Sequence, residues 1–166
     1  VTPFSLDASV ALLEALPALS TPHPSARVRS MEAFGQNYGL ILYRKTLEAD
    51  AKTLDVGVPR DFATVLTDGQ SRGTLDRRLG QHVLDASFRK GSTPDILVEN
   101  MGRVNFGSAV PTEYKGLRRQ VSLDGKTLSD WRVYPLPLKD LSALPFHDGL
   151  AATGPRFLRG DRKSVA

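Results

Sequence analysis

Within eight residues, the stretch "LVENMGRVNFG" (97–107) sets a carboxylate, a guanidinium, two amides and an aromatic ring: Glu99, Asn100, Gly102, Arg103, Asn105 and Phe106. Such a set could lock a loop in shape, because amides and Gly tolerate left-handed backbone and a guanidinium reaches carbonyls and carboxylates. It could also present a polar and aromatic surface to something else. Acid–base chemistry fits less well. The nearest sequence partner of Glu99 is Arg103, and a guanidinium holds a neighbouring carboxylate ionised, the reverse of what a general acid needs. Glu14, Glu32, Glu48 and Glu113 lack any comparable setting. Glu99, Asn100, Gly102, Arg103 and Asn105 are therefore read as residues that structure the loop.

Other chemistry is scarce. His23, His82 and His147 lie far apart, and none stands in a metal-ligand spacing. With no cysteine there is no disulfide, no zinc–thiolate site and no Cys nucleophile, and the compartment stays open. Neither a GxSxG elbow nor a GxxxxGK[ST] phosphate loop occurs. "GRVNFG" follows a strand-like run without leading into a helix, so no helix-borne phosphate site is expected there. Neither a metal nor a cofactor is expected.

The elements that must carry the loop are strands. "GLILYRKTL" (39–47), "TLDVGV" (53–58), "DFATVLTDG" (61–69), "QHVLDASF" (81–88) and "PDILVEN" (94–100) are β-type runs. Asp68-Gly69 and Asp124-Gly125 are the residue pairs that tight hairpin turns favour. Around the second, Val121 and Leu123 alternate with polar neighbours, as do Trp131 and Val133, a period of two with one wet face. Seven or eight short strands with almost no helix between them predict an all-β antiparallel sandwich or barrel, since crossover helices have no room. Trp131, Tyr43, Phe62 and Tyr134 fall on these strands and are assigned to the core or to a seam with another domain. Before Met31, "DASVALLEAL" predicts one short helix capped by Asp7 or Ser9 and stopped by Pro17, and "STPHPSARVRS" predicts an extended linker.

At 166 residues and 40% hydrophobic, the chain suits one ordinary domain with tails. The net charge is +4, but residues 1–153 hold 18 Lys and Arg against 17 Asp and Glu. The other three charges come from Arg156, Arg159, Arg162 and Lys163 against Asp161. A basic tail on a near-neutral body is not the footprint of a nucleic-acid binder. No run of about 18 apolar residues exists, so no membrane span is expected. "VTPFSLDASV" has neither an initiator Met nor the pattern of a signal peptide, and reads as a cut inside a longer chain.

"SMEAFGQNYGLILYR" (30–44), "PRDFATVLTDG" (59–69), "DILVENMGRVNFG" (95–107) and "KGLRRQVSLDGKTLSDWRVYPLPL" (115–138) together resemble the β-galactosidases of glycoside hydrolase family 35, in the family's order. The resemblance implies a jelly-roll β-sandwich of the galactose-binding-like type over residues 31–140. Residues 1–30 would be the linker that follows a catalytic TIM barrel absent from this chain. Residues 141–166 would be a linker and the start of a second β-domain, with "GPRFLRG" similar to that domain's opening and "DRKSVA" departing from the family pattern. In the family, two barrel glutamates cleave terminal β-linked galactose with retention, which needs paired carboxylates about 5 Å apart. By that resemblance the partners are the barrel and, through the parent enzyme, a β-galactoside, and the setting is extracytoplasmic. No catalytic residue is expected in this chain. The loop matching "GRVNFG" approaches the family's galactose pocket, which implies that Phe106 either walls the pocket rim or plugs the seam between this domain and the barrel. Many relatives carry Tyr there, so a hydroxyl is lost while apolar contact with the sugar is kept. Two other readings stay open: a self-standing carbohydrate-binding module, and an interaction domain that works through the basic tail (154–166).

Overall fold

The computed structural model describes residues 5–150 and 153–160. Residues 161–166, with Arg162 and Lys163 of the basic tail, lie outside the described residues, as do Val1–Phe4 at the N-terminal end. In chain order the strands are β1 (Ala8–Ala11), β2 (His23–Ser25), β3 (Leu40–Arg44), β4 (Ala51–Asp55), β5 (Phe62–Thr67), β6 (Gln70–Asp76) and β7 (Val83–Phe88). They continue as β8 (Pro94–Glu99), β9 (Ser122–Leu123), β10 (Lys126–Thr127), β11 (Trp131–Leu136), β12 (His147–Asp148) and β13 (Arg156–Arg159). One α-helix, α1 (Leu12–Leu19), and short 3₁₀ turns complete the described elements. The all-β antiparallel expectation is met.

Residues 21–138 form one compact unit. Its six-stranded sheet has the order β2-β11-β3-β8-β5-β6 and its four-stranded sheet the order β10-β9-β4-β7. Every pairing in both is antiparallel. Inward residues alternate along the strands and interlock into one core. Ile41, Tyr43, Ala63, Val65, Ile96, Val98 and Val133 come from the larger sheet, and Leu54, Phe88 and Leu123 from the smaller. The period of two thus does its work at Trp131 and Val133, whose neighbour Arg132 is exposed. β3, β8 and β11 go further, since Leu42, Leu97, Tyr134 and Leu136 on the alternate positions are buried as well. Strands buried on both faces read as continuous apolar runs, as "LILY" and "ILV" do. Both Asp-Gly pairs are two-residue hairpin turns. Asp68 and Gly69 join β5 to β6, Asp124 and Gly125 join β9 to β10, and all four residues have positive φ.

The second unit comprises residues 1–20 and 139–166. Here the expected helix over 7–16 gives way to a strand followed by a helix. Ala8–Ala11 is the central strand of a sheet ordered β12-β1-β13, pairing with Arg156–Arg159 and with His147 and Asp148. A partner almost 150 residues away in sequence outweighs the local helical pattern. The helix starts only at Leu12 and contains Pro17, with helical bonding resuming when Ser20 N–H donates to Leu16 O at 3.0 Å. In the first unit, β2 occupies the stretch read as a linker. It is an edge strand, where the missing N–H of Pro24 costs no ladder bond.

Candidate functional site

The ends of three strands converge beneath the "MGRVNFG" loop. The β5–β6 hairpin pairs Phe62 with Asp76, so Asp61 and Arg77 flank its open end, and Arg77 N–H donates to Asp61 O at 3.0 Å. β8 pairs Glu99 with Phe62, and Asp61 N–H donates to Glu99 O at 2.8 Å, which brings the start of the loop to the same place. Across these ends runs the segment 113–117. Gly116 exchanges two backbone bonds with Arg60, at 2.8 and 3.1 Å. Its φ of +84° and its closeness to the Tyr43 hydroxyl, 2.5 Å from where a Cβ would stand, leave room for Gly alone.

This convergence buries a charge cluster. Lys115, 1% exposed, donates from Nζ to Asp61 Oδ2 at 2.6 Å and lies 2.8 Å from Glu113 Oε1. Arg77 Nη1 donates to Asp61 Oδ1 at 2.7 Å and to Glu113 Oε1 at 2.9 Å, while Arg60 donates to Glu113 Oε2 at 3.2 Å. Met101 N–H donates to Asp61 Oδ2 at 3.1 Å. The Lys115 ammonium, with Arg77 behind it, pushes the Glu113 carboxyl down to about 2 against the pull of burial. For Asp61 burial raises the carboxyl, but Lys115, Arg77 and Met101 together outweigh it and hold it below its ordinary value. Both acids are thus fixed as anions at neutral pH. The cluster is an electrostatic clamp rather than an acid–base pair.

The loop hangs from this clamp. Arg103 donates to Asn37 O at 2.9 Å, to Glu113 O at 2.9 Å and to Glu32 Oε1 at 2.5 Å. Its carboxylate partner is therefore Glu32 and not Glu99, which is exposed and whose backbone completes β8. The reason is directional: Glu99 ends a strand facing away, whereas Glu32 sits in the 3₁₀ turn Met31–Phe34 beside Lys115, whose N–H it also accepts. Burial lifts the Glu32 carboxyl, and the bonds from Arg103, Ser30, Lys115 and its own backbone reverse that and hold it low. Asn100 donates to Asn37 O at 3.0 Å and accepts from Gly102 N–H at 3.0 Å, an Asx turn that sets Gly102 at φ +110°. Asn105 is exposed, and its side chain bonds to no other described residue. At the tip, Phe106 is 91% exposed, with Met101, Val104, Val110 and Tyr114 also exposed around it. A cleft of about 470 Å³ is lined by Met101, Gly102, Arg103 and Val104 of the loop and by Asp61, Arg77, Arg78, Glu113 and Lys115.

At the level of sequence Glu113 is set aside for want of a suggestive setting, and Asp61, Arg77 and Lys115 do not stand out. The available signal was "EYKG", where Glu113 and Lys115 stand two apart and so on one side of extended chain. Nothing in the spacing ties them to Asp61 or Arg77.

The fold and this loop define an antiparallel β-sandwich domain that fixes one apolar-tipped loop by buried ion pairs. Residues 29–137 match the family described as "Beta-galactosidase, first all-beta domain", and the chain belongs to that family. It is 40% identical over 157 residues to a β-galactosidase of Xanthomonas manihotis, an alignment covering 92% of this chain and 25% of that protein. Against the β-galactosidase of Homo sapiens it is 37% identical over 110 residues, 63% of this chain and 16% of the relative. For that of Mus musculus the figures are 39% over 107 residues, 61% and 16%. The chain spans a quarter or less of the length of these relatives.

Proposed function

We propose that this chain is a non-catalytic β-domain of a retaining β-galactosidase of glycoside hydrolase family 35, one that hydrolyses terminal β-linked galactose. It buttresses a catalytic barrel outside this sequence and lends the 100–112 loop to the rim of the substrate pocket. The observation that carries the reading is Phe106, 91% exposed at the tip of a loop whose root is clamped by buried ion pairs. A large apolar ring held out in water by a stiff support has its partner elsewhere. Phe106 supplies apolar contact to the C–H face of the sugar; Asn100, Gly102 and Arg103 form the arm that holds the root of its loop. The clamp supports the non-catalytic reading. Retention requires one carboxyl kept protonated near neutrality, and both clustered acids are pushed the other way.

The purified 166-residue chain is expected to leave a chromogenic β-galactoside intact, and turnover above buffer would overturn the reading. In an enzyme that carries this domain, Phe106→Ala is expected to raise KM about fivefold, the equivalent of roughly 1 kcal/mol of lost apolar contact, at unchanged thermal stability. An unchanged KM removes Phe106 from the rim. Saturable heat on titrating galactose into the isolated chain would favour the self-standing binding module instead.

A further inference from the structure

Beside the 113–117 segment, four arginines line one cleft of about 320 Å³: Arg27, Arg29, Arg118 and Arg119, with Ser30, Tyr114 and Gln120 among them. No carboxylate lines it. Among the described residues none of the four guanidiniums forms an ion pair. Arg118 only donates to Thr112 O at 3.3 Å and lies over the Tyr114 ring, and Arg29 lies over Phe34. The nearby acids are committed elsewhere. Glu32 is taken by Arg103 and the Lys115 N–H, and Asp55 by the Gly57 N–H at 2.7 Å and His82 at 3.1 Å.

The cleft is also built. Its two walls are held together from inside by a single buried hydroxyl. Tyr43 Oη donates to Arg29 O at 2.6 Å and accepts from Leu117 N–H at 3.0 Å. Met31 N–H to Lys115 O at 2.9 Å and the Ser30–Gly116 bridge complete the seam. Four exposed arginines with no carboxylate among the lining residues make the cleft locally positive, on walls fixed by the core. Guanidinium forks match tetrahedral and planar oxyanions two bonds at a time, and Ser30 and Gln120 add neutral hydrogen-bonding groups.

The geometry points to an oxyanion-binding site in this cleft, beside the C-terminal end of the loop and distinct from the proposed rim at Phe106, that takes a sulfate or phosphate group. The group arrives free or as an ester on a saccharide. The guanidiniums bind the charge, and Ser30 and Gln120 hydrogen-bond its oxygens or the attached hydroxyls.

The test is calorimetric titration of the 166-residue chain with inorganic sulfate, inorganic phosphate, galactose 6-sulfate and neutral galactose, at ionic strength held constant with chloride. Saturable binding of at least one anion is expected. It should weaken about tenfold for each arginine removed, as loss of a charge-assisted hydrogen bond implies, hence about a hundredfold in Arg118→Gln/Arg119→Gln and in Arg27→Gln/Arg29→Gln. Arg72→Gln, an exposed arginine outside the cleft, should bind as the parent does. If one double variant fails to fold, the other decides. Tighter binding of galactose 6-sulfate than of inorganic sulfate identifies an ester as the source, and equal binding identifies the free ion. Absence of saturable heat for every anion, undiminished binding in the folded double variants, or equal loss in Arg72→Gln would overturn the site.

Discussion

Replacing Lys115 with Met keeps most of the buried stem and deletes the charge between Asp61 and Glu113. The Glu113 carboxyl lies at about 2 against an ordinary 4.5, with Lys115 the largest cause. That gap corresponds to roughly 3 kcal/mol at about 1.36 kcal/mol per pH unit. Breaking one partner out of a buried ion pair independently costs about 3–5 kcal/mol. Arg77 stays within 2.7 and 2.9 Å of the two acids and retains part of the field, so about 3 kcal/mol is the expected loss at pH 7. For a chain of this size that lowers Tm by roughly 6–12 °C. The pH dependence separates this account from a simple packing defect. A carboxyl depressed in the folded state contributes stability in full above its unfolded value of 4.5. It surrenders that contribution as pH falls from there toward 2. The parent has more to surrender than the variant, whose acids have lost their main cation. The difference between them should therefore shrink between pH 5 and pH 3, followed by urea unfolding with circular dichroism. A difference that stays constant or grows on acidification, or that is below about 1 kcal/mol at pH 7, refutes the clamp.

Tyr43→Phe should cost about 1–3 kcal/mol in urea unfolding, because the Arg29 carbonyl and the Leu117 N–H both lose a buried partner. Gly116→Ala should destabilise by more than about 1 kcal/mol, since a Cβ meets the Tyr43 hydroxyl at 2.5 Å and φ is +84°; a neutral result in thermal unfolding contradicts the close approach. Arg103→Lys should speed amide hydrogen exchange at Met101 and Gly102, because an ammonium cannot serve three partners set around a planar fork. Phe106→Ala should leave the stability of this chain within about 0.5 kcal/mol, as an exposed tip buries nothing on folding.

What the sequence discloses follows the reach of each interaction. The hairpins at Asp68-Gly69 and Asp124-Gly125 are legible because two residues decide the turn. The alternation at Trp131 and Val133 is legible because one face of one strand decides it. The helix over 7–16 is misread because Ala8–Ala11 answers to Arg156–Arg159, at the far end of the chain. The loop residues 99–106 stand out by their mixture of types, but the partner of Arg103 is decided by where the Met31–Phe34 turn lands, about 70 positions earlier. Asp61, Arg77, Glu113 and Lys115 are ordinary charges until the ladders Phe62–Asp76 and Phe62–Glu99 align three strand ends.

That alignment explains why the loop is rooted in charge rather than in apolar packing. Apolar side chains tolerate sliding, because burial is non-directional. A buried ammonium between two carboxylates does not, since a shift of an ångström leaves an unpaired charge out of water. Arg103 extends the same constraint outward, with its bonds to Asn37, Glu113 and Glu32 tying the loop to the 3₁₀ turn and to the clamp at once. The root of the loop, up to Arg103, is then set by the six-stranded sheet and the clamp. If a rim contact at Phe106 serves a sugar, a folded Lys115 variant should bind substrate worse in the parent enzyme even though Lys115, itself buried, touches none. A Lys115 variant that is less stable yet has an unaltered KM would separate the clamp from the rim.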